Sequence, residues 1–93
     1  MKTIPNITFD AKPEPVSVAK LLETCLATPP QQGFDFATIR ARQRVQDVLD
    51  KVTDGGEIQL EDADFQTAKD AVAVTRWVRP DKHLLSFAEL FGL

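Results

Sequence analysis

The 93-residue chain has one cysteine, one histidine and no apolar run approaching the ~20 residues that a membrane span needs. Cys25 therefore has no partner for an internal disulfide. Set among Val18, Leu21, Leu22 and Leu26, it reads as a small buried hydrophobe; a nucleophile would need a polar, activating setting. Cys25 and His83 alone cannot supply the ligand set of a zinc site, and nothing local brings them into a catalytic pair. A Gly-rich phosphate loop, a Gly-x-Ser-x-Gly elbow and a His-Glu-x-x-His motif are all missing. The expectation is that the protein is not an enzyme, with no catalytic residue, no cofactor and no metal site.

One stretch fits a calcium frame in part. Asp50, Asp54, Gly55 and Glu61 fall at positions 1, 5, 6 and 12 of an EF-hand loop, but Val52 and Ile58 fall at positions 3 and 9, where oxygen ligands belong. Calcium is not expected there. No Sec-type signal is expected either, because Met1-Lys2 runs into Thr3, Pro5 and Asn6 instead of an apolar stretch. Cytoplasmic synthesis is the default.

What is present is an ordinary globular composition, 43% hydrophobic and 27% charged, at a length that makes one domain. A chain this short buries only roughly two-thirds of the surface its unfolded form exposes, so its core must be compact or completed by a partner. The formal charge of −3 argues against a duplex-DNA binder, which carries a basic domain or stripe.

Residues 1–16 read as an extended N-terminal arm and residues 17–93 as a single helical domain. Pro5, Pro13 and Pro15 remove backbone donors from the arm. Ile7 and Phe9 alternate with Asn6, Thr8 and Asp10, as in a short strand. That strand either lies on the chain's own core or pairs with another subunit.

Four helices follow. Ser17 is a candidate N-cap for the first, Val18 to about Ala27, whose Val18, Leu21, Leu22, Cys25 and Leu26 hold one apolar face. Thr28-Pro29-Pro30 stops it, and Gln31-Gln32-Gly33 completes a short linker. The second helix runs from about Phe36 to Val52 with Ile39, Val45, Val48, Leu49 and Val52 as its stripe. Arg40, Arg42 and Arg44 crowd its first half against the dipole preference, which calls for compensation by Asp35, Asp47 or an outside anion.

Asp54-Gly55-Gly56 marks a turn, and Glu57-Ile58-Gln59-Leu60 alternates like a half-buried strand. A minor two-stranded sheet is expected to join residues 6–10 to 57–60. The third helix spans about Asp62 to Trp77, with Asp62 and Asp64 as first-turn stabilisers, not an acid–base pair. Phe65, Ala68, Ala71 and Val72 face inward. Pro80-Asp81 opens the last helix, with Leu84, Leu85, Ala88 and Phe91 as its apolar side and Gly92 at the cap position.

The second and third helices share a starting device. Phe34-Asp35 leads into Ile39, and Leu60-Glu61 leads into Phe65, which is the spacing of a hydrophobic staple around an acidic N-cap. Charge is uneven: residues 54–74 balance at −5, while 34–53 and 75–93 each balance at +1. The Arg76-Trp77-Val78-Arg79 cluster suits a protein interface, where both residue types are enriched, or a stacked single-stranded base, or a tryptophan closing the helix core. Candidate interface residues are Ile7, Phe9, Arg40, Arg44, Arg76, Trp77 and Arg79.

Pro29-Pro30 with Gly33-Phe34, then Ile39-Arg40-Ala41-Arg42, Leu60-Glu61-Asp62-Ala63-Asp64-Phe65 and Arg76-Trp77, resemble small proteins of tailed phages and prophages encoded near virion structure and assembly genes. The likeness covers about residues 29–78. It implies a structural or assembly role, with phage virion proteins or a homo-oligomer as partners. The location implied is the host bacterial cytoplasm, with incorporation into the virion. Two other readings stand beside it: a modulator of a host protein acting through the acidic start of the third helix, and a nucleic-acid-binding regulator using Arg40, Arg42 and Arg44. The third lacks a recognisable helix-turn-helix.

Overall fold

The computed structural model describes residues 1–10, 15–30, 33–52, 56–77 and 82–93. The Gln31-Gln32 linker, the Asp54-Gly55 turn, the Pro80-Asp81 helix start, Pro13 and Arg79 lie outside the described residues. The fold is mainly helical. In chain order the elements are β1 (Lys2–Pro5), β2 (Thr8–Phe9), β3 (Val16–Ser17), α1 (Val18–Ala27), α2 (Phe36–Leu49), β4 (Glu57–Leu60), α3 (Asp62–Val74) and α4 (Lys82–Glu89).

The helices form where apolar spacing and caps agree. Ser17 accepts from the Lys20 N–H and Asp35 from the Thr38 N–H, so α1 and α2 each start on a side-chain cap. The other opening donors of α1 are met by the N-terminal segment: Val18 N–H donates to the Ile7 carbonyl and Ala19 N–H to Oδ1 of the buried Asn6. Val18, Leu22, Cys25 and Leu26 then bury the face predicted for α1. Both α2 and α3 end before their expected limits, at Leu49 and Val74.

Two antiparallel strand pairs lie among the described residues, β1 with β4 and β2 with β3. The main ladder differs from expectation. Residues 2–5, not 6–10, pair with 57–60, in the register Lys2–Leu60, Thr3–Gln59, Ile4–Ile58, Pro5–Glu57. Ile4 is the reason: it meets Ile58 across the ladder and both are buried, whereas Ile7 is exposed. Thr8 and Phe9 turn back onto Ser17 and Val16 instead.

The core gathers α1, α2, α3 and the inner face of β1–β4 around Leu22, Val45, Leu49, Ile58, Leu60, Ala68 and Ala71. Phe87 and Phe91 close it from α4 and the turn after it, edge to face at 5.3 Å, and Phe91 stacks on Phe65 at 5.8 Å. The stripe expected on α4 holds at Leu84, Ala88 and Phe91 but takes Phe87 in place of Leu85. Phe87 is buried and Leu85 is 69% exposed, because the helix aligns Leu84, Phe87 and Ala88 with Phe91. Among the described residues no helix is long and apolar enough to cross a membrane.

Candidate functional site

The start of α2 is where the molecule departs most from a closed core. Phe34 and Ile39 are 43% and 46% exposed, and Phe36 between them is 77% exposed. The spacing that predicted a staple is present, yet neither member is covered. Ile39, expected on the buried stripe of α2, instead faces outward.

Arg42 takes the inward place. It lies three residues before Val45 and seven before Leu49, on the line of the buried stripe, and is only 8% exposed. Its Nη1 donates to the carbonyls of Cys25 at 3.4 Å, Leu26 at 3.1 Å and Thr28. Those groups close the end of α1, where a helix leaves its last carbonyls without intrahelical donors and favours positive charge. The Phe34 ring lies 5.2 Å from the guanidinium carbon, within cation–π range. Burial lowers the Arg42 pKa from the usual arginine value, with the nearby Cys25 acting the other way. Beneath it, the buried Cys25 thiol is pushed up by burial, against smaller lowering effects of the Thr75 side chain and Arg42. A raised pKa in an apolar setting is the opposite of nucleophile activation.

A groove of about 290 Å³ opens between α1 and α2. Leu26, Ala27, Phe34 and Ile39 give it apolar walls, and Arg42 forms part of its lining. Gln46 donates to Glu23 at 3.0 Å across the two helices. The arrangement can take an apolar side chain against Phe34 and Ile39. Among the described residues, no group of three or more His, Cys, Asp or Glu side chains could hold a metal ion.

The chain matches no protein-family model, no curated protein and no solved structure at a significant level.

The candidates read from the sequence are dispersed. Ile7 is exposed beside the start of α1, and Phe9 is half-buried with its ring 5.5 Å from that of His83. Arg40 is exposed on α2, while Arg44 donates to Asp64 of α3 at 3.2 Å. Arg76 and Trp77 are exposed just past α3, and Trp77 does not sit in the helix core. The contacts of Phe9 and Arg44 thus run to other parts of the chain.

Two of the three arginines meet groups other than Asp35 and Asp47: Arg42 serves the α1 carbonyls, and Arg44 serves Asp64, while Arg40 is exposed. Asp35 accepts from Thr38 and Asp47 from Gln43. Phe34 and Phe36 are not among the interface candidates read from the sequence, and Arg42 enters there only as a nucleic-acid contact, not as a buried residue. The spacing from Arg42 to Val45 and Leu49 was the available signal for its burial.

Proposed function

We propose that the protein is a non-enzymatic structural or assembly component of a phage particle that works by docking onto another protein. The observation that carries this reading is the uncovered Phe34, Phe36 and Ile39 at the start of α2, with Arg40 beside them. Exposed apolar clusters with polar surroundings mark interaction surfaces, and aromatic residues and arginine are the types enriched at binding hot spots. The resemblance over residues 29–78 supports the phage setting, with synthesis in the host cytoplasm and incorporation into the virion.

The nucleic-acid reading is weaker, since Arg42 is spent on α1 and Arg44 on Asp64. The host-modulator reading loses part of its acidic face, because the same bond occupies Asp64.

The test is light scattering after size exclusion, with and without isolated virion proteins, on the wild-type chain and on Phe36→Ser. The expected result is a defined larger species, alone or with a virion protein, that Phe36→Ser loses while its thermal midpoint holds. A concentration-independent monomer that binds no virion component would overturn the reading. Removing residues 1–15 is unsuitable as a probe of the arm, because it deletes β1 and the core residue Ile4.

A further inference from the structure

The β1–β4 ladder has two outer edges, and they are not equivalent. The register places Asn6 opposite Gly56, and the Asn6 N–H donates to the Gly56 carbonyl at 3.0 Å. Opposed residues in an antiparallel pair alternate between hydrogen-bonded and non-bonded sites. Ile4–Ile58 and Lys2–Leu60 are therefore the bonded pairs, and Thr3–Gln59 and Pro5–Glu57 are the non-bonded ones. It follows that the main-chain groups of Thr3 and Pro5 face out from β1, and those of Glu57 and Gln59 face out from β4.

Pro5 has no N–H, so the β1 edge is blunted in the way edge strands commonly are. The β4 edge keeps both donors and both acceptors, and β1 is its one ladder partner among the described residues. A groove of about 350 Å³ runs beside it, lined by Glu57 and Gln59 on one side and by Asp47, Val48, Lys51 and Val52 of the α2 end on the other.

We propose that this groove docks an extended segment of a partner protein, added antiparallel or parallel to β4, in which basic residues alternate with β-branched apolar ones. Main-chain donors and acceptors on alternate residues select an extended backbone. Val48 and Val52 provide apolar contact for alternate side chains. The lining carboxylates of Asp47 and Glu57 outnumber Lys51, which selects a basic occupant. A second copy fits poorly, because its own β4 would bring another Glu57 into a groove that already holds two carboxylates. This surface is independent of Phe34, Phe36 and Ile39, so its failure leaves the reading above intact.

The experiment is amide hydrogen exchange by NMR on the full chain, titrated with a short blocked peptide of alternating lysine and valine. The expected result is slowed exchange at the Glu57 and Gln59 amides, lost when glutamate replaces the lysines and lost when the peptide is N-methylated along its bonding edge. Gln59→Pro removes one outward donor without touching a β1–β4 bond, so it should abolish the protection at the remaining Glu57 amide and leave the thermal midpoint close to wild type. The N-methylated peptide gives the same answer on the unaltered protein should that variant misfold. Equal binding of the N-methylated peptide, or no protection at either amide, overturns the proposal. Protection of both amides without peptide, accompanied by a doubled mass in light scattering, also overturns it by making a second copy the occupant.

Discussion

Phe34-Asp35-Ile39 and Leu60-Glu61-Phe65 carry the same spacing at the start of two neighbouring helices, and they end in opposite surroundings. Leu60 is 0% exposed, and Phe65 stacks on Phe91. Phe34 and Ile39 stand nearly half in solvent. The difference lies in what arrives from elsewhere. β1 pairs with β4 at Leu60, and the C-terminal turn brings Phe91 onto Phe65, so the second staple becomes part of the core. Among the described residues, the first staple meets the Arg42 guanidinium and the flank of α1. The caps run the other way: Asp35 bonds the Thr38 N–H, while Glu61 makes no side-chain cap bond. A helix start buried by tertiary contacts can do without its cap bond, and an uncovered one is held locally.

The largest test of this contrast is truncation at the two sites. Leu60→Ala should cost about 2–5 kcal/mol, as core truncations that leave a cavity do. Ile39→Ala should stay within about 0.5 kcal/mol, as surface changes do. Chemical denaturation reads both, and comparable losses would erase the distinction.

Arg42, the one firm contact under the first staple, comes next. Arg42→Met keeps much of the buried stem but takes the side-chain donor from the Leu26 and Thr28 carbonyls, while the Cys25 carbonyl keeps the Thr28 N–H, at about 1–3 kcal/mol. Arg42→Lys should restore it only in part: all three bonds come from the one nitrogen Nη1, which an ammonium can imitate, but the stacking of the flat guanidinium on Phe34 is lost. Faster amide exchange at the end of α1 would accompany the loss.

The thiol below Arg42 gives a smaller, pH-dependent effect. Its folded pKa is raised by burial, so on alkalinisation the unfolded chain ionises first. Stability should therefore decline as pH rises through about 8.5, the ordinary thiol value, and Cys25→Ala should remove that slope whatever its own baseline cost. Denaturation midpoints taken between neutral and alkaline pH check this.

The smallest effect distinguishes the two caps. Hydrogen bonds from Thr38, side chain first and main chain second, hold the Asp35 carboxyl below the usual carboxylate value. Its contribution is present above the unfolded value of about 3.9 and is lost as pH falls through the lower folded one. Asp35→Ala should remove that acid-side contribution and fray the start of α2, while Glu61→Ala should do neither; thermal melts across the acid range compare them.

Much of the scaffold was legible because local chemistry and tertiary placement agree. Ser17 and the Val18–Leu26 stripe gave α1, the alternation of 57–60 gave β4, and Leu60 with Phe65 gave the start of α3. The failures fall where a distant partner decides. Residues 2–5 show little strand pattern, and it is Ile58 that draws Ile4 inward. Arg42 is charged, and it is the end of α1 that supplies the carbonyls that let it be buried. On α4, Leu84 and Leu85 both offered an apolar side, and Phe65 with the core chose the one that includes Phe87. The exposed start of α2 could not be told from a buried one by spacing alone, since the second staple has the same pattern.

The closing of α1 has a consequence for the order in which the chain acquires structure. Its first donors are met by Ile7 and Asn6, and its last carbonyls by Arg42. The ten residues of the helix thus depend on groups that precede and follow them by more than their own length. In a chain made from its N-terminus, α1 precedes Arg42, so the side-chain donor to its last carbonyls arrives only when α2 packs against it. It is a keystone, set last and holding only when both sides of the arch are standing.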